Sequence, residues 1–372
     1  MKLLIVSTAP FISIKDDIYA YSPYVNELVI WEKYADEIIF CCPVWGKEKG
    51  LLVDKIPFKI SAHYRVSDFN INSFVSIIKS PLFALYSVLV LFKSMQQADH
   101  IHLRCPGNIG LLGCIVQILF PYKQKSAKYA GNWDPKSKQP WTYRLQKWIL
   151  NNTFLTKNIK VLVYGEWEGS SKNIKSFFTA TYGEADKMSM KVLNLKGKIN
   201  FVFVGTLVFG KNPLYAIQLV ERLFKKGYNV SLDLYGEGIE QKALEHYIVC
   251  NKLEKIIILR SNQIQETVKK AYQDSHFVVL PSNSEGWPKA IAEGMFWGCV
   301  PIATAISCVP FMLDYGTRGI LIEMNLEKDI QLLESVLNNE TNFNFKREKA
   351  LAWSQKYTLD VFEAEIEILL NT

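Results

Sequence analysis

The sequence predicts an α/β protein made of two doubly wound domains that face each other across a cleft. Short apolar strands alternate with longer amphipathic segments along the whole chain, which is the pattern of βαβ units and parallel sheets. The chain has 372 residues, more than a single hydrophobic core usually holds. The strand pattern also restarts near Ile199, after the lysine-rich segment KMSMKVLNLKGK, which we interpret as a linker.

The strands of the two halves follow in order. In the first half we expect strands at KLLIVS, EIIFCCP, HIHLR, KYAG and KVLVYG, and in the second at NFVFVG, VSLDLYG, KIIILR, HFVVLP and CVPIAT. The predicted domains are residues 1–195, residues 196–350, and a helical segment at 351–372 that packs back on the first domain. In such sheets, ligands bind beyond the carboxyl ends of the strands.

Composition indicates a globular protein, because 49% of the residues are hydrophobic and 21% are charged. The seven cysteines are odd in number, sit mostly in apolar runs and lack metal-site spacing, so we expect reduced thiols in a cytoplasmic protein and no metal site. The opening MKLLIVSTAP fits a first buried strand better than a signal peptide. The apolar run Leu82 to Phe92 is shorter than the ~20 residues that span a bilayer, and we expect a buried helix there.

Charge is distributed unevenly along the chain. Residues 1–200 carry 26 Lys and Arg against 15 Asp and Glu, whereas residues 201–372 carry 17 against 21. A basic half is typical of a domain that faces an anionic partner or surface. Between Tyr122 and Trp148, lysines and arginine alternate with aromatic residues, which favours an anionic membrane face. An ordinary solvated surface is the alternative, and no nucleic-acid motif accompanies the run.

The stretch SEGWPKAIAEG at 284–294 carries the first candidate site residues. Glu285 lies in the loop after the strand HFVVLP, Pro288 suits the start of a helix, and Glu293 lies inside that helix. The free N–H groups of a helix start attract phosphate, and carboxylates accept hydrogen bonds from sugar and ribose hydroxyls. The alternative is a helix that places glutamates near its start for its dipole, and the spacing alone does not decide between the two.

Two further segments add candidates for the same site. In VGTLVFGKNP at 204–213, Gly205 ends a strand and Lys211 precedes the next helix, where a lysine can neutralise a diphosphate. Without context, a solvated lysine is the simpler interpretation. The segment DLYGEG places Gly236 at another strand end, although glycines after strands are usually turns.

The order of these segments resembles the carboxyl-terminal domain of the family-4 retaining glycosyltransferases, which have the GT-B architecture of two Rossmann-like domains. The matching pieces lie between Ile199 and Glu323 and end with GCVPIAT and DYGTRGILI. The resemblance implies that Lys211 holds the donor diphosphate, that Glu285 contacts donor-sugar hydroxyls and that Glu293 binds the ribose. It places the remaining donor-binding positions at Gly205, Thr206, Gly236, Gly286, Trp287 and Pro288.

The chain also departs from the family pattern. Thr206 stands where the family usually has an arginine, and STAPFIS replaces a glycine-rich loop after the first strand. KYAGNWDP stands where many members have a histidine, which leaves Asn132 or Asp134 as the nearest polar candidates. Ser307 and Cys308 replace the usual glycine pair.

A few other polar residues receive weaker interpretations. His100 and His102 alternate along one strand. They are better explained as strand histidines that form hydrogen bonds within the fold than as catalytic residues. Arg104, where the same strand opens into CPGNIG, has a better claim to the cleft. Recognition of the nucleotide base is expected near residues 260–263.

The sequence therefore predicts a retaining, metal-independent hexosyltransferase that needs no cofactor besides its nucleotide-diphosphate-sugar donor. The predicted acceptor is a glycan hydroxyl, lipid-linked as in capsule, O-antigen or exopolysaccharide assembly. We expect a cytoplasmic protein, peripheral on the inner membrane face, that binds no nucleic acid. The alternatives are a GT-B nucleotide-sugar epimerase, a non-catalytic sugar-nucleotide-binding protein and, last, a nucleic-acid binder.

Overall fold

The computed structural model describes residues 1–15, 17–48, 52–67 and 74–371, with side chains from residue 83 onward in the helix that begins at residue 74. Its contacts divide into two compact units. The amino-terminal unit comprises residues 1–177 and 363–372, and the carboxyl-terminal unit comprises residues 178–362. The side chain of Leu82, in the predicted helix at Leu82 to Phe92, lies outside the described part. So does Thr372, the last residue of the predicted segment 351–372.

The amino-terminal unit is built on a seven-stranded sheet in the order β11-β10-β9-β8-β1-β4-β7, in which all pairs are parallel. The same unit also contains a small four-stranded sheet, in the order β5-β2-β3-β6. The strands are β1 Lys2–Val6, β2 Phe11–Ile14, β3 Asp17–Tyr21, β4 Glu37–Cys42, β5 Val44–Trp45, β6 Val53–Lys55, β7 Ala62–Arg65, β8 His100–Cys105, β9 Gln124–Tyr129, β10 Ile159–Tyr164 and β11 Ile174–Phe177. The helices are α1 Ser22–Glu32, α2 Phe74–Gln97, α3 Asn108–Val116 and α4 Trp141–Asn151.

The carboxyl-terminal unit holds a six-stranded parallel sheet in the order β14-β13-β12-β15-β16-β17. Its strands are β12 Ile199–Val204, β13 Val230–Tyr235, β14 Ile257–Leu259, β15 Phe277–Leu280, β16 Val300–Thr304 and β17 Ile320–Ile322. Its helices are α5 Pro213–Lys225, α6 Gln241–Cys250, α7 Gln265–Asp274, α8 Lys289–Phe296, α9 Val309–Met312, α10 Leu326–Leu337 and α11 Glu340–Ser354. The last helix, α12 Leu359–Asn371, begins in this unit.

The parallel sheets explain why the strands read as continuous apolar runs. Residues 3–6 of β1 and 277–280 of β15 are all buried, because helices cover both faces of such sheets. The predicted α/β class with two Rossmann-like units is confirmed. The sequence prediction did not include the small sheet, whose strands are short and half exposed. It also did not include β7, β11 and β17, which are short strands of the large sheets.

The division between the units lies at residues 177 and 178, whereas the sequence prediction placed it at 195 and 196. The physical reason is that the segment 178–198 packs on the carboxyl-terminal unit. The ring of Tyr182 lies 5.0 Å from the rings of both Phe296 and Trp297, and His276 Nε2 lies 3.1 Å from the carbonyl oxygen of Asn194. At the other end, residues from 363 rather than 351 group with the amino-terminal unit.

Helix α2 contains the apolar run Leu82 to Phe92, for which a buried helix was predicted. The prediction of burial is wrong for one face of this helix. Leu91 and Met95 are fully buried, whereas Leu85, Tyr86 and Leu89 are 59%, 53% and 62% exposed. The sheet covers one side of the helix only, so the opposite apolar side faces outward. In the described part of the chain, no helix has the length and apolarity that crossing a membrane requires.

A buried charge cluster holds α1 against the sheet of the amino-terminal unit. Glu27 accepts from Arg104 Nη1 at 2.7 Å and from Lys128 Nζ at 2.9 Å, and the side chain of Lys128 is 2% exposed. The two cations hold the pKa of the Glu27 carboxyl far below its usual range, against the opposing effect of burial. Arg104, the sequence candidate for the cleft, is thus engaged in an ion pair.

We expect Glu27→Gln to destabilise the protein by about 3–5 kcal/mol, because it leaves two cations without a buried counter-charge. Since the folded pKa of Glu27 is lowered, its stabilising effect is present above the unfolded pKa and is lost only as pH falls towards the folded value. The deficit should therefore be full at pH 7 and shrink in strong acid. Denaturant unfolding at pH 7 and in strong acid measures this deficit in the free energy of unfolding.

The matched control is Glu327→Gln, which breaks the exposed pair with Arg222 and should shift stability by less than about 1 kcal/mol. An additional Lys128→Met change in the Glu27→Gln background should recover part of the loss, since it removes one uncompensated charge. Equal stability of Glu27→Gln and the unmodified protein would contradict a structural role for the cluster.

Candidate functional site

The candidate site lies at the carboxyl ends of β12 and β15, which are adjacent in the sheet. The chain leaves β12 towards β13 on one side and leaves β15 towards β16 on the other. Strand order therefore reverses between β12 and β15, and the loops that follow them diverge. A crevice at such a point is where open α/β sheets bind ligands.

The loop after β12 directs Lys211 towards the loop after β15. A 3₁₀ turn at Phe209–Lys211 is followed by Asn212 in the left-handed region, at φ 48°, which asparagine tolerates better than most residues. Asn212 Nδ2 donates to the carbonyl oxygen of Pro281 and to Asn283 Oδ1, both at 2.9 Å. These hydrogen bonds fasten the two loops together, and Pro213 then begins α5.

In the loop after β13, the packing of the backbone accounts for the glycine at position 236 without a ligand. Gly236 has φ +135°, and a Cβ atom there would lie 2.0 Å from the carbonyl oxygen of Gly205. Leu207 N also donates to Glu237 O at 2.9 Å. The two backbones approach so closely that only glycine fits at position 236. Thr206, where the family pattern has arginine, is exposed at the turn of this pair of loops.

The loop after β15 leads directly into α8. Asn283 N donates to the carbonyl oxygen of Gly210 at 2.9 Å, which adds another link to the loop after β12. Pro288 immediately precedes the first helical residue, Lys289, and Gly298 with φ +83° follows the helix. The predicted start of this helix at Pro288 is confirmed. Its first N–H groups are thus available beside the crevice.

Lys211 and Glu285 form an ion pair at this crevice. The side chain of Lys211 is 29% exposed and that of Glu285 is 8% exposed. The two predicted catalytic residues, which are distant in sequence, are therefore in direct contact. Lys211, a cation that suits phosphate, and Glu285, an acceptor that suits hydroxyl groups, lie at the same point of the crevice. In the free protein their charges neutralise each other.

Ser307 and Cys308 hold the loop that carries Gly286. Ser307 Oγ donates to the carbonyl oxygen of Gly286 at 3.3 Å, and Cys308 Sγ donates to the same oxygen at 3.1 Å. Thr304 Oγ1 donates to the carbonyl oxygen of Ser282 in the same loop. The sequence marked Ser307 and Cys308 only as departures from a glycine pair. Their positioning role depends on contacts between loops, and no local pattern reveals such contacts.

Trp287 contributes its side chain to the core. Only 7% of the residue is exposed, and its ring lies 6.0 Å from that of Trp353 and 5.7 Å from that of Tyr357. Any contact of Trp287 with a ligand in the crevice must therefore come from its backbone. The tryptophan ring anchors the loop to α11 and fixes the position of Glu285.

Glu293 has an environment different from that of Glu285. Its carboxylate accepts from Thr181 Oγ1 at 2.7 Å and from Tyr272 Oη at 3.2 Å. Burial raises the pKa of the Glu293 carboxyl above its usual value. Neither Lys211 nor Glu285 is among these partners. Thr181 and Tyr272, which the sequence analysis did not single out, thus complete the surroundings of this glutamate.

Other sequence candidates have local partners. Arg260 Nε donates to Asp233 Oδ1 at 3.0 Å, and Gln263 Nε2 donates to the carbonyl oxygen of Arg260 at 2.7 Å. In the amino-terminal unit, Asn132 Oδ1 accepts from Asp134 N and Asp134 Oδ1 accepts from Lys136 N, both at 2.8 Å. These contacts shape turns, and they give Asn132 and Asp134 a structural explanation.

The basic and aromatic run from Tyr122 to Trp148 does not form one surface. Trp133 is buried, as are Tyr129, Lys125 and Lys128. The exposed aromatic residues are Tyr122, Trp141 and Trp148, at 93%, 64% and 58%. A linear count of charges therefore overstates the number of groups that a membrane could meet.

Comparison with known proteins finds relatives for the part of the chain that holds this crevice. Residues 185–356 match the family model of the glycosyl transferases, group 1. An uncharacterized glycosyltransferase of Methanocaldococcus jannaschii is 28% identical over 190 residues, which are 50% of this chain and 51% of that protein. The chain thus spans about half the length of this relative.

Two further proteins match over nearly their whole length. Protein CapJ of Staphylococcus aureus is 22% identical over 402 residues, with 98% of each chain covered. The apo form of the lipopolysaccharide outer core galactosyltransferase WaaB has a TM-score of 0.70 at 13% identity and covers 100% of this chain and 99% of its own. That likeness shows the GT-B fold. The resemblance of this chain to the GT-B glycosyltransferases is therefore confirmed, whereas the surface-polysaccharide type and the placement in family 4 stay predictions.

Proposed function

We propose that the protein transfers a hexosyl group from a nucleotide-diphosphate sugar to an acceptor hydroxyl, with retention of configuration and without a divalent metal. The observation that carries the proposal is the contact of Lys211 with Glu285 beside the start of α8. This contact lies within the region that matches the group 1 glycosyl transferases. The combination supplies one cation, free helix N–H groups and one hydroxyl acceptor at a single crevice.

Lys211 and the start of α8 bind the donor diphosphate in this proposal. A lysine acts on phosphate as a compact point charge, and the positive end of the helix dipole adds to it. Glu285 then accepts hydrogen bonds from hydroxyls of the sugar. Because the two side chains neutralise each other in the free protein, the donor must exchange their mutual contact for contacts with itself.

The transfer step breaks the bond between the anomeric carbon and the diphosphate oxygen and forms a bond to the acceptor oxygen. The acceptor proton passes to an oxygen of the leaving diphosphate, so no protein base is needed. Lys211 stabilises the charge that develops on that diphosphate. The involvement of Asn132 and Asp134 in local turns agrees with a mechanism that assigns neither of them the proton.

We place the acceptor among lipid-linked glycans and the protein at an anionic membrane face on the cytoplasmic side. The exposed apolar side of α2, with Leu85 and Leu89, and the exposed Trp141 and Trp148 support membrane contact, because such groups partition into the interface. The excess of basic residues in the first half supports the anionic surface. The seven free cysteines favour a reducing compartment.

We expect Lys211→Ala to lower the transfer rate on the order of a hundredfold, as the loss of a preorganised charge partner typically does. Calorimetry against UDP-, GDP-, ADP- and dTDP-sugars measures binding, and product analysis measures transfer. Lys242→Ala, which removes an exposed lysine, is the matched control and should behave like the unmodified protein. Unchanged binding and transfer in Lys211→Ala would contradict the proposed donor site.

Glu285→Gln separates the two roles at the crevice. The amide keeps the shape of the side chain but frees Lys211 from its counter-charge. Binding of the nucleoside diphosphate alone should therefore tighten, by about two- to tenfold, as expected for roughly 1 kcal/mol of ion-pair competition. Transfer should fall by at least about tenfold. If diphosphate binding and transfer fell together, Glu285 would support Lys211 rather than compete for it.

We expect Glu293→Gln to raise the unfolding midpoint at pH 7.5 and to lower donor affinity. The folded pKa of Glu293 is raised by burial, so ionisation opposes folding once pH exceeds the unfolded value of about 4.3. The gain should therefore vanish near pH 4. Thermal unfolding at both pH values tests the sign, with Glu327→Gln as an exposed control. A stabilised variant that binds donor normally would argue against ribose binding by Glu293.

A further inference from the structure

A cavity of about 630 Å³ opens in the amino-terminal unit at the amino ends of four neighbouring strands, β8 to β11. These ends are opposite to the carboxyl ends at which parallel sheets bind their usual ligands. Four of the residues around it are lysines, Lys125, Lys157, Lys160 and Lys172, and none of the described residues that line it is acidic. The cavity thus gathers positive charge at a place that the donor site does not use.

Lys125 forms part of the wall and is 2% exposed. Its Nζ donates to the carbonyl oxygens of Gln117 at 3.2 Å and Phe120 at 2.9 Å. Within the described part of the chain, no carboxylate pairs with it. Burial lowers the pKa of Lys125 to about 8. The ammonium is thus held by carbonyl dipoles alone, and an anion in the cavity would stabilise its charged form.

Lys157, Lys160 and Lys172 are exposed at the mouth of the cavity. His100 also lines the cavity and is 2% exposed. Burial, together with the charge of Lys160, lowers the pKa of His100 to about 4. His100 Nε2 lies 2.8 Å from Ser126 Oγ, while its Nδ1 has no hydrogen-bond partner among the described residues. The charges of the lysines at this cavity repel each other. An anion relieves that repulsion, so the arrangement favours occupancy by one.

Besides the three lysines, the rim of the cavity carries exposed apolar surface. Tyr122 lines the cavity and is 93% exposed. Phe154 and Leu119, which flank the lining residues in the chain, are 77% and 64% exposed, and Lys157 Nζ lies 5.7 Å from the Phe154 ring centroid. Lysines beside exposed aromatic and aliphatic side chains are typical of a surface that meets phospholipid headgroups.

We propose that this cavity binds the phosphate group of an anionic ligand through Lys125, Lys157, Lys160 and Lys172. A phospholipid headgroup and a free phosphate ester share this chemistry, and the exposed rim favours the headgroup. The cavity belongs to the amino-terminal unit, whereas the donor crevice belongs to the carboxyl-terminal unit. The phosphate site can therefore fail experimentally while sugar transfer stands.

The test uses the full chain with Lys157, Lys160 and Lys172 all changed to Glu. The matched control changes Lys198, Lys242 and Lys255 to Glu, three exposed lysines of the carboxyl-terminal unit, and so alters net charge equally. Sedimentation with phosphatidylcholine vesicles that contain phosphatidylglycerol is the first arm. Calorimetry with inorganic phosphate and glycerol phosphate is the second. Thermal unfolding of both variants reports that they are folded.

We expect the cavity variant to lose at least about tenfold in vesicle binding, since each lysine near an anionic surface contributes about fivefold, and the control to stay within about twofold. This loss, with no binding of the soluble phosphates, identifies a lipid headgroup site. Binding of soluble phosphate that only the cavity variant loses identifies a free phosphate ester. Equal losses in both variants, or no loss in the cavity variant, would overturn the proposal.

Discussion

The pairing of β12 with β15 is the constraint on which the candidate crevice depends. It sets the loops after the two strands side by side, although the intervening chain makes two complete excursions through β13 and β14. The hydrogen bonds of Asn212 and Asn283 between these loops then fix the distance across which a lysine and a glutamate can meet. The chemistry at the crevice is thus a consequence of strand order first and of side-chain identity second.

The two glutamates that share one sequence stretch have different surroundings, because one lies in the loop before α8 and the other lies within that helix. Glu285 lies in a loop at the sheet edge with a cation as partner. Glu293 lies about one turn into α8 and is partly buried, and its carboxylate accepts hydrogen bonds from two hydroxyl groups. A charged partner and a pair of hydroxyls prepare the same chemical group for different tasks, which agrees with separate contacts to one extended ligand.

The sequence allowed most strands of the two large sheets, the order of the loops and the positions of Lys211 and Glu285 in loops that follow strands to be predicted, because apolar runs and strand-end residues are local signals. The small sheet and the strands β7, β11 and β17 were missed, since these strands are only two to five residues long. The burial of Trp287 against Trp353 and the bridging roles of Ser307 and Cys308 depend on contacts between distant segments, for which a single sequence carries no signal. The exposed side of α2 was missed because apolar residues on both sides of a helix predict burial.

That exposed side of α2 has a consequence for the protein in solution. Leu85, Tyr86 and Leu89 are each more than half exposed and lie on neighbouring turns, so they form a continuous apolar strip. Strips of this kind associate with other apolar surfaces, including the same strip on a second molecule of the protein. Without lipid, self-association should therefore increase with protein concentration, and the behaviour of a purified sample should depend on the amphiphile supplied with it.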